Sequence, residues 1–143
     1  MGRLGRANFD ELKAIQKRMQ KLSQSGINQF CEQCAKELAA RLLRKAIKRT
    51  PVGEYTDGKV GGTLRRGWTI GNIKHTGSTY EIEIINPVEY ANYVEYGHRT
   101  RSHKGWVQGR FMLTISEDEI KNIAPKLLEN KLNLFLKEIF NEQ

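Results

Sequence analysis

Residues 28–51 read NQFCEQCAKELAARLLRKAIKRTP, and this stretch decides the fold. Apolar residues recur in it at steps of three and four, the spacing that places them on one face of an α-helix. Thr50-Pro51 ends the pattern, because a residue before proline is pushed out of the α region. We therefore predict a long helix from Asn28 to Arg49. Its core-facing residues are Phe30, Cys31, Cys34, Leu38, Leu42, Ala46 and Ile47.

The rest of the chain supplies a hairpin and a second long helix. Residues 80–84 alternate apolar and polar side chains, as a half-buried strand does. Thr63 to His75 has the composition of its antiparallel partner, with the turn at residues 75–78. A further apolar stripe at helical spacing runs from Leu127 to Phe140. We predict an α+β fold in which a small antiparallel sheet is packed by long N-terminal and C-terminal helices.

Three local features complete the predicted elements. Leu64 and Trp68 are expected to be apolar anchors of the first strand, and Trp106 to Ile115 to form a further strand. Ser116 followed by Glu119 has the pattern of a capping box, which predicts that the C-terminal helix begins there.

The first residues of the chain have a pattern of their own. Asn8 with Glu11 again has capping-box spacing, and a narrow apolar stripe follows. The stripe consists of Phe9, Leu12, Ile15, Met19 and Leu22. We predict an amphipathic helix ending at Gly26, which either packs on the domain or reaches a neighbour. The chain is thus expected to form one domain, residues 1–143, with residues 1–26 as a candidate helical arm.

Composition narrows the classes of protein to consider. The 143 residues are 38% hydrophobic, enough for one core. No stretch approaches the roughly 20 apolar residues of a membrane span, and the N-terminus lacks the apolar region of a signal peptide. We therefore expect no membrane partner and a place in the cytoplasm. The net charge of +8 permits attraction to nucleic acid, acidic lipid or an acidic protein, without choosing among them.

The two cysteines, Cys31 and Cys34, form a single C-x-x-C inside the long predicted helix. A structural zinc site needs two more ligands, and a redox pair needs a thioredoxin-like context. The sequence offers neither. We predict reduced thiols buried at helical spacing.

The strongest candidate for catalysis is the group Glu89, Glu95, His98 and His103, because acidic and imidazole groups near one loop bind metals or transfer protons. The two histidines are five residues apart, which would separate them on a helix, and basic neighbours repel a divalent cation. No serine lies in a nucleophile elbow. We therefore predict no catalytic residue, no metal site and no cofactor. A small metal-dependent nuclease is the enzymatic rival to this prediction.

Basic residues form one candidate binding set. Its members are Arg65, Arg66, Arg99, Arg101 and Lys104. They are predicted to line a surface that contacts DNA phosphates or acidic side chains of a partner. The alternative is that these charges only keep the protein soluble.

Tyrosines form the second candidate set. Tyr90, Tyr93 and Tyr96 recur at steps of three and would share a face of a short helix. Amphipathic rings are favoured at protein interfaces, so we predict a subunit interface here. The alternative is that the rings complete the core of the sheet, which we expect to cover at least one of them.

Two motifs carry a resemblance to a known family. Thr50-Pro51-Val52, a glycine-bearing loop and Gly62-Thr63-Leu64-Arg65 are similar to one signature of phage tail-component proteins, the gp-ten-like family of the Hong Kong siphophage type. Residues 90–97, YANYVEYG, resemble its second signature. Members of the family have a Pro-Phe-Leu-like stretch soon afterwards, where this chain has a longer basic loop. The difference indicates a branch such as contractile-tail or defective-prophage particles.

The resemblance implies a non-enzymatic structural subunit of a phage or phage-like tail. It would act at the neck, tail-completion or tail-terminator position, as part of a ring at the head-proximal end of the tail. Its partners would be copies of itself, in a ring that is expected to be a hexamer, other tail or neck proteins, and DNA in transient contact. The alternative is a small basic DNA-binding protein acting as a monomer or dimer.

Overall fold

The computed structural model describes residues 19–53 and 57–140, together with single positions at 13, 16 and 17. A 3-10 turn at Gln20–Leu22 precedes four helices and four strands. In chain order these are α1 Gln24–Arg49, α2 Thr63–Arg66, β1 Thr69–Thr76, β2 Thr79–Ile85, α3 Ala91–Tyr96, β3 Gly97–Arg99, β4 Trp106–Gln108 and α4 Met112–Phe140. The predicted α+β fold with two long helices is confirmed, although the strands form two separate two-stranded sheets.

Helices α1 and α4 lie antiparallel and form the long axis of the fold. Near the start of α1, the ring of Phe30 stacks on Phe135 with centroids 4.5 Å apart. Near its end, Arg49 donates to Glu119, which is close to the start of α4. Packing along both helices buries Ala46, and α4 contributes the buried Ile139. The apolar periodicity of the sequence therefore identified the two principal helices correctly.

A polar seam joins the two helices beside this apolar contact. The carboxylate of Glu119 accepts from Lys45 at 2.7 Å and from both terminal nitrogens of Arg49. Lys131 pairs with Glu37, which also accepts from Arg41 at 3.2 Å. Bonds from Arg49 and then Lys45 lower the pKa of Glu119 to about 2. The bond from Lys131 likewise lowers the pKa of Glu37.

Both long helices begin earlier than predicted. Helix α1 starts after Ser23, whose hydroxyl accepts from the backbone of Gly26 at 3.4 Å, so Gly26 lies in the first turn and does not end a preceding helix. The predicted arm helix falls mostly outside the described residues. Helix α4 starts at Met112. Ser116 is buried inside it and donates to the carbonyl of Met112, so it is not a cap. Pro125 lies within α4 and does not end it.

The β1–β2 hairpin packs on α1. The predicted alternation is confirmed, since Tyr80, Ile82 and Ile84 are half-buried between exposed neighbours. The hydroxyl of Tyr80 donates to Asn28 of α1 at 3.1 Å. The turn is tighter than predicted, because Thr76 already pairs with Thr79.

The segment before β1 is not a strand, contrary to prediction. Thr63–Arg66 forms one helical turn. The backbone carbonyl of its buried Leu64 accepts a hydrogen bond from the side-chain amide of Asn86 at 2.7 Å. Trp68 is half-buried, and its indole nitrogen donates to the hydroxyl of Thr50 at 2.6 Å. The Trp68 side chain is thus fixed by a polar contact with the end of α1.

The cysteines are free thiols on α1. Cys34 is buried and Cys31 is half-buried. Burial raises the pKa of the Cys34 thiol. No helix in residues 19–53 and 57–140 is both long enough and apolar enough to cross a bilayer.

Acid should weaken the α1–α4 seam through Glu119. Its pKa is lowered from the ordinary 4.5 to about 2, so its stabilising effect is complete above about pH 4.5 and is lost as pH falls through 2. Melting temperatures measured from neutral pH down to about pH 2 should fall less steeply for Glu119→Gln than for wild type. Glu117→Gln, which changes an exposed carboxylate two residues earlier on the same helix, should show the acid profile of wild type. Superimposable acid profiles for Glu119→Gln and wild type would contradict the assignment.

Candidate interaction surface

Helix α3 holds the three tyrosines of the second candidate set. Tyr90 immediately precedes the helix, and Tyr93 and Tyr96 lie on it. Their side chains are 44%, 60% and 61% exposed, so the expectation that the sheet covers at least one ring is wrong. The reason is that the apolar face of β2 packs on α1 and leaves α3 outside the core. The ring of Tyr93 meets His98 edge-on at 5.8 Å.

A second hairpin follows α3 directly. Strands β3 and β4 pair in the register Gly97 with Gln108, His98 with Val107 and Arg99 with Trp106. The predicted basic loop from Gly97 to Gly105 is therefore one strand and a turn, and the predicted strand from Trp106 shrinks to three residues. Residues 101–108 are all exposed. We call residues 97–108 the second hairpin.

The register determines which side chains lie on each face of the second hairpin. Directly opposed residues of an antiparallel pair project on the same side. One face therefore carries His98 and Val107, with Tyr93 against His98, and the other carries Arg99 and Trp106. Trp106 is 59% exposed and Val107 is 44% exposed. Both faces thus offer apolar surface to a partner.

Two glycines fix the base of the second hairpin against α3. Gly97 has a φ of +88°, and a Cβ there would lie 2.5 Å from the carbonyl oxygen of Val107. A Cβ on Gly109 would lie 2.5 Å from the carbonyl oxygen of Glu95. The backbones cross closely enough for Arg110 to donate to Val94 at 2.7 Å and Phe111 to Glu95 at 3.0 Å.

Glu95 connects α3 to the start of α4. It is only 6% exposed. One carboxylate oxygen accepts from the backbone of Leu113 at 3.0 Å, and the other accepts from the backbone of Thr114 at 2.8 Å and from its hydroxyl at 2.7 Å. These amides belong to the first turn of α4, where helical partners are missing. The side chain therefore caps a helix that begins seventeen residues later, and its negative charge suits the helix N-terminus.

The basic set divides between two places. Arg99, Arg101 and Lys104 lie on the second hairpin, and all three are exposed. Arg65 instead donates twice to the carbonyl of Thr50, at 2.7 and 3.2 Å, and so caps the C-terminus of α1. Arg66 donates to the carbonyl of Gly61 at 3.0 Å. Only the hairpin residues have guanidinium or ammonium groups without an ion pair or hydrogen bond to the rest of the described structure.

The group considered for catalysis is dispersed. Glu95 is committed to capping α4, and Glu89 is exposed before α3. His98 bonds through Nδ1 to the carbonyl of Arg99, and His103 sits at a φ of +57° in the hairpin turn. Among the described residues, no three His, Cys, Asp or Glu side chains converge as metal ligands do.

Sequence reasoning missed two features of the candidate surface. Trp106 was assigned to a strand without being considered as a contact residue, although an apolar pair between a basic turn and Gly109 indicates an exposed hairpin. The capping role of Glu95 had no sequence signal, because its partners are eighteen and nineteen residues away.

Comparison with known proteins identifies one family. The family model described as "Bacteriophage HK97-gp10, putative tail-component" matches residues 13–97. The match spans both motifs and ends where the second hairpin begins. No curated protein and no solved structure matches the chain.

Removing the Glu95 carboxylate should destabilise the whole fold. Glu95→Ala leaves two backbone amides of α4 without an acceptor, at a cost of about 1–3 kcal/mol. Urea unfolding monitored by circular dichroism measures this cost. Glu89→Ala is the matched control, since that carboxylate is exposed and its loss should stay within about 0.5 kcal/mol. Equal unfolding midpoints for the two variants would show that the cap contributes nothing.

Proposed function

Because the chain belongs to the HK97-gp10-like family of bacteriophage tail components, we propose that it is a non-enzymatic subunit of a ring at the head-proximal end of the tail. The station is the neck, tail-completion or tail-terminator position. The particle is a phage or phage-like tail, assembled in the bacterial cytoplasm. Six copies are expected, as the family resemblance implies.

The second hairpin is the observation that supports this role. Tyr93, Trp106 and Val107 leave large apolar surface in solvent next to three free cationic side chains. Tyrosine, tryptophan and arginine are the residues enriched at protein interfaces. A monomer that works alone gains nothing from exposing them. The hairpin therefore serves as a contact for a neighbouring subunit or another tail protein.

The two small sheets support closure into a ring. Among the residues that the structure describes, each sheet has only two strands, so each strand keeps one edge that no other described strand pairs with. An exposed edge is a site for pairing with another chain. A heterologous contact between identical subunits produces a ring when its rotation closes. Pairing between hairpin edges of neighbouring subunits would cover the exposed edges and would supply the heterologous contact.

The cations of the hairpin suit a second, weaker contact. Arg99, Arg101 and Lys104 are placed to meet DNA phosphates in transit or acidic side chains of the tail tube. Three contacts give modest affinity that falls with salt. This is appropriate for DNA that must pass without being held. A dedicated DNA-binding protein would need more contacts than the hairpin provides.

Assembly should depend on the exposed aromatic residues. Tyr93→Ser and Trp106→Ser are expected to keep the wild-type melting temperature, because both rings are more than half exposed, and to lose incorporation into tails. Light scattering at high concentration and tail-tube capping measure the effect. Leu134→Ser is the control, because Leu134 is 63% exposed on α4, away from the hairpin.

The outcomes separate the alternatives. If both variants fold and cap tubes as wild type does, the second hairpin is not the contact. If the protein binds DNA tightly as a monomer or dimer, and binding collapses with salt, the DNA-binding alternative replaces the proposal. Stoichiometric metal together with nucleic-acid cleavage would replace it with the nuclease.

A further inference from the structure

An open apolar groove lies between α1 and α4. Its volume is about 550 Å³. Helix α1 contributes Phe30 and Leu38 to its walls, and α4 contributes Leu128 and Leu132. These two leucines are 36% and 44% exposed. Among the described residues that line the groove, Glu129 alone is charged. Such a surface suits a partner that brings an apolar side chain together with a positive charge.

The second hairpin has this composition. Residues 97–108 contain no Asp or Glu, and their charged residues are two arginines and one lysine. The register places Trp106 and Arg99 directly opposite each other, so the exposed indole and the guanidinium group share one face. Large aromatic rings that fill a pocket contribute most of the energy of many interfaces. The indole matches the apolar groove, and the guanidinium group matches Glu129.

The hairpin and the groove lie apart within one subunit. Strand β3 packs on β4 and on α3, and the chain enters α4 at Met112. The first groove residue on α4 is Pro125, thirteen residues farther along the helix, which is about 20 Å at 1.5 Å per residue. A three-residue strand spans only about 10 Å. A second copy of the chain can therefore cover both surfaces, and the subunit's own hairpin cannot.

We propose that the second hairpin of one subunit docks in the α1–α4 groove of the next copy, with Trp106 between the helices and Arg99 beside Glu129. This inference rests on the proposed function, because it names the partner of the same hairpin. The docking surface and the receiving surface are different, so the contact is heterologous, and repetition of it closes into a ring when the rotation allows.

The size of the contact favours a closed ring over isolated pairs. A standard interface uses about 20–30 residues on each side, whereas the second hairpin has only residues 97–108 to offer. A single contact is therefore weak. In a ring every subunit makes the contact twice, once with its hairpin and once with its groove. The docked face also leaves the strand edges of the hairpin available for pairing, since face and edge are different surfaces of a strand.

Charge reversal tests the docking directly. Arg99→Glu and Glu129→Arg should each reduce tail-tube capping at least about tenfold, because like charges then meet across the contact. The double variant, Arg99→Glu with Glu129→Arg, restores opposite charges and should recover most of the capping. Both residues are exposed, so the melting temperatures of all three variants should match wild type.

A second double variant is the matched control. Arg99→Glu with Glu117→Arg reverses an exposed acid of α4 that does not line the groove. Its capping should stay as low as that of Arg99→Glu alone. Equal recovery by the two double variants, or recovery by neither, overturns the docking.

A change inside the groove separates this inference from the proposed function. Leu132→Lys places a cation in the path of the hairpin and should abolish capping, as Trp106→Ser should. Normal capping by Leu132→Lys, when Trp106→Ser fails to cap, overturns the groove contact and leaves the role of the hairpin in the tail standing. Normal capping by Trp106→Ser removes that role and the docking together.

Cross-linking in assembled tails identifies the neighbour. Gln108 lies on the same face of the hairpin as Trp106, because side chains alternate along a strand. In Gln108→Cys protein, a short bismaleimide should join the introduced thiol to Cys31, which lines the groove of the adjacent copy. A ladder of linked chains should then appear on a denaturing gel.

The controls fix the face and the target of the cross-link. Val107→Cys, on the opposite face of the hairpin, should give no ladder, and adding Cys31→Ser to Gln108→Cys should abolish it. Linked dimers that persist without Cys31 would show that two hairpins meet each other, and links confined to single chains would place the hairpin in its own groove. Either result overturns the proposal.

Discussion

The carboxylate of Glu95 holds the proposed contact surface, the second hairpin, in place. This carboxylate projects from α3, is buried, and accepts three hydrogen bonds from the first turn of α4. The second hairpin begins two residues after Glu95 and ends four residues before α4, so both of its ends are fixed by this cap. Because α4 is in turn joined to α1 by the Glu119 and Lys131 ion pairs, the exposed hairpin is carried on a rigid frame.

Thr50 has the equivalent role for α1, which ends beside the start of α4, where Arg49 bonds Ser116 and Glu119. It is fully buried, its hydroxyl donates to Ala46, and it accepts from Trp68. Its carbonyl binds Arg65. The two motifs that carry the family resemblance therefore both stabilise helix termini. One closes the C-terminus of α1 and the other opens the N-terminus of α4.

The long helices and the first hairpin could be predicted because their signals are local. Periodicity defined α1 and α4, and alternation in residues 80–84 defined β2. The helical turn Thr63–Arg66 could not be predicted, since it depends on Gly62 at a φ of +97° and on the distant Asn86. Ser116 misled for the opposite reason. Its spacing to Glu119 fits a capping box, but a cap supplied by Glu95 starts the helix one turn earlier.

The exposure of the candidate residues was predicted in part. The tyrosines and the cations Arg99, Arg101 and Lys104 are exposed together, as a contact surface requires. Arg65 belonged to the same predicted basic set, but its guanidinium group donates to the carbonyl of Thr50 at the end of α1. Sequence alone does not separate these cases, because whether a charge is free depends on which backbone carbonyls the fold leaves beside it.

The central claim is that the second hairpin is the surface by which the subunit joins the tail. Cryo-electron microscopy of assembled tails tests it most directly. We predict density for residues 97–108 packed against a neighbouring subunit or another tail protein, with Trp106 and Tyr93 covered. A subunit seated in the tail with this hairpin free in solvent would contradict the account.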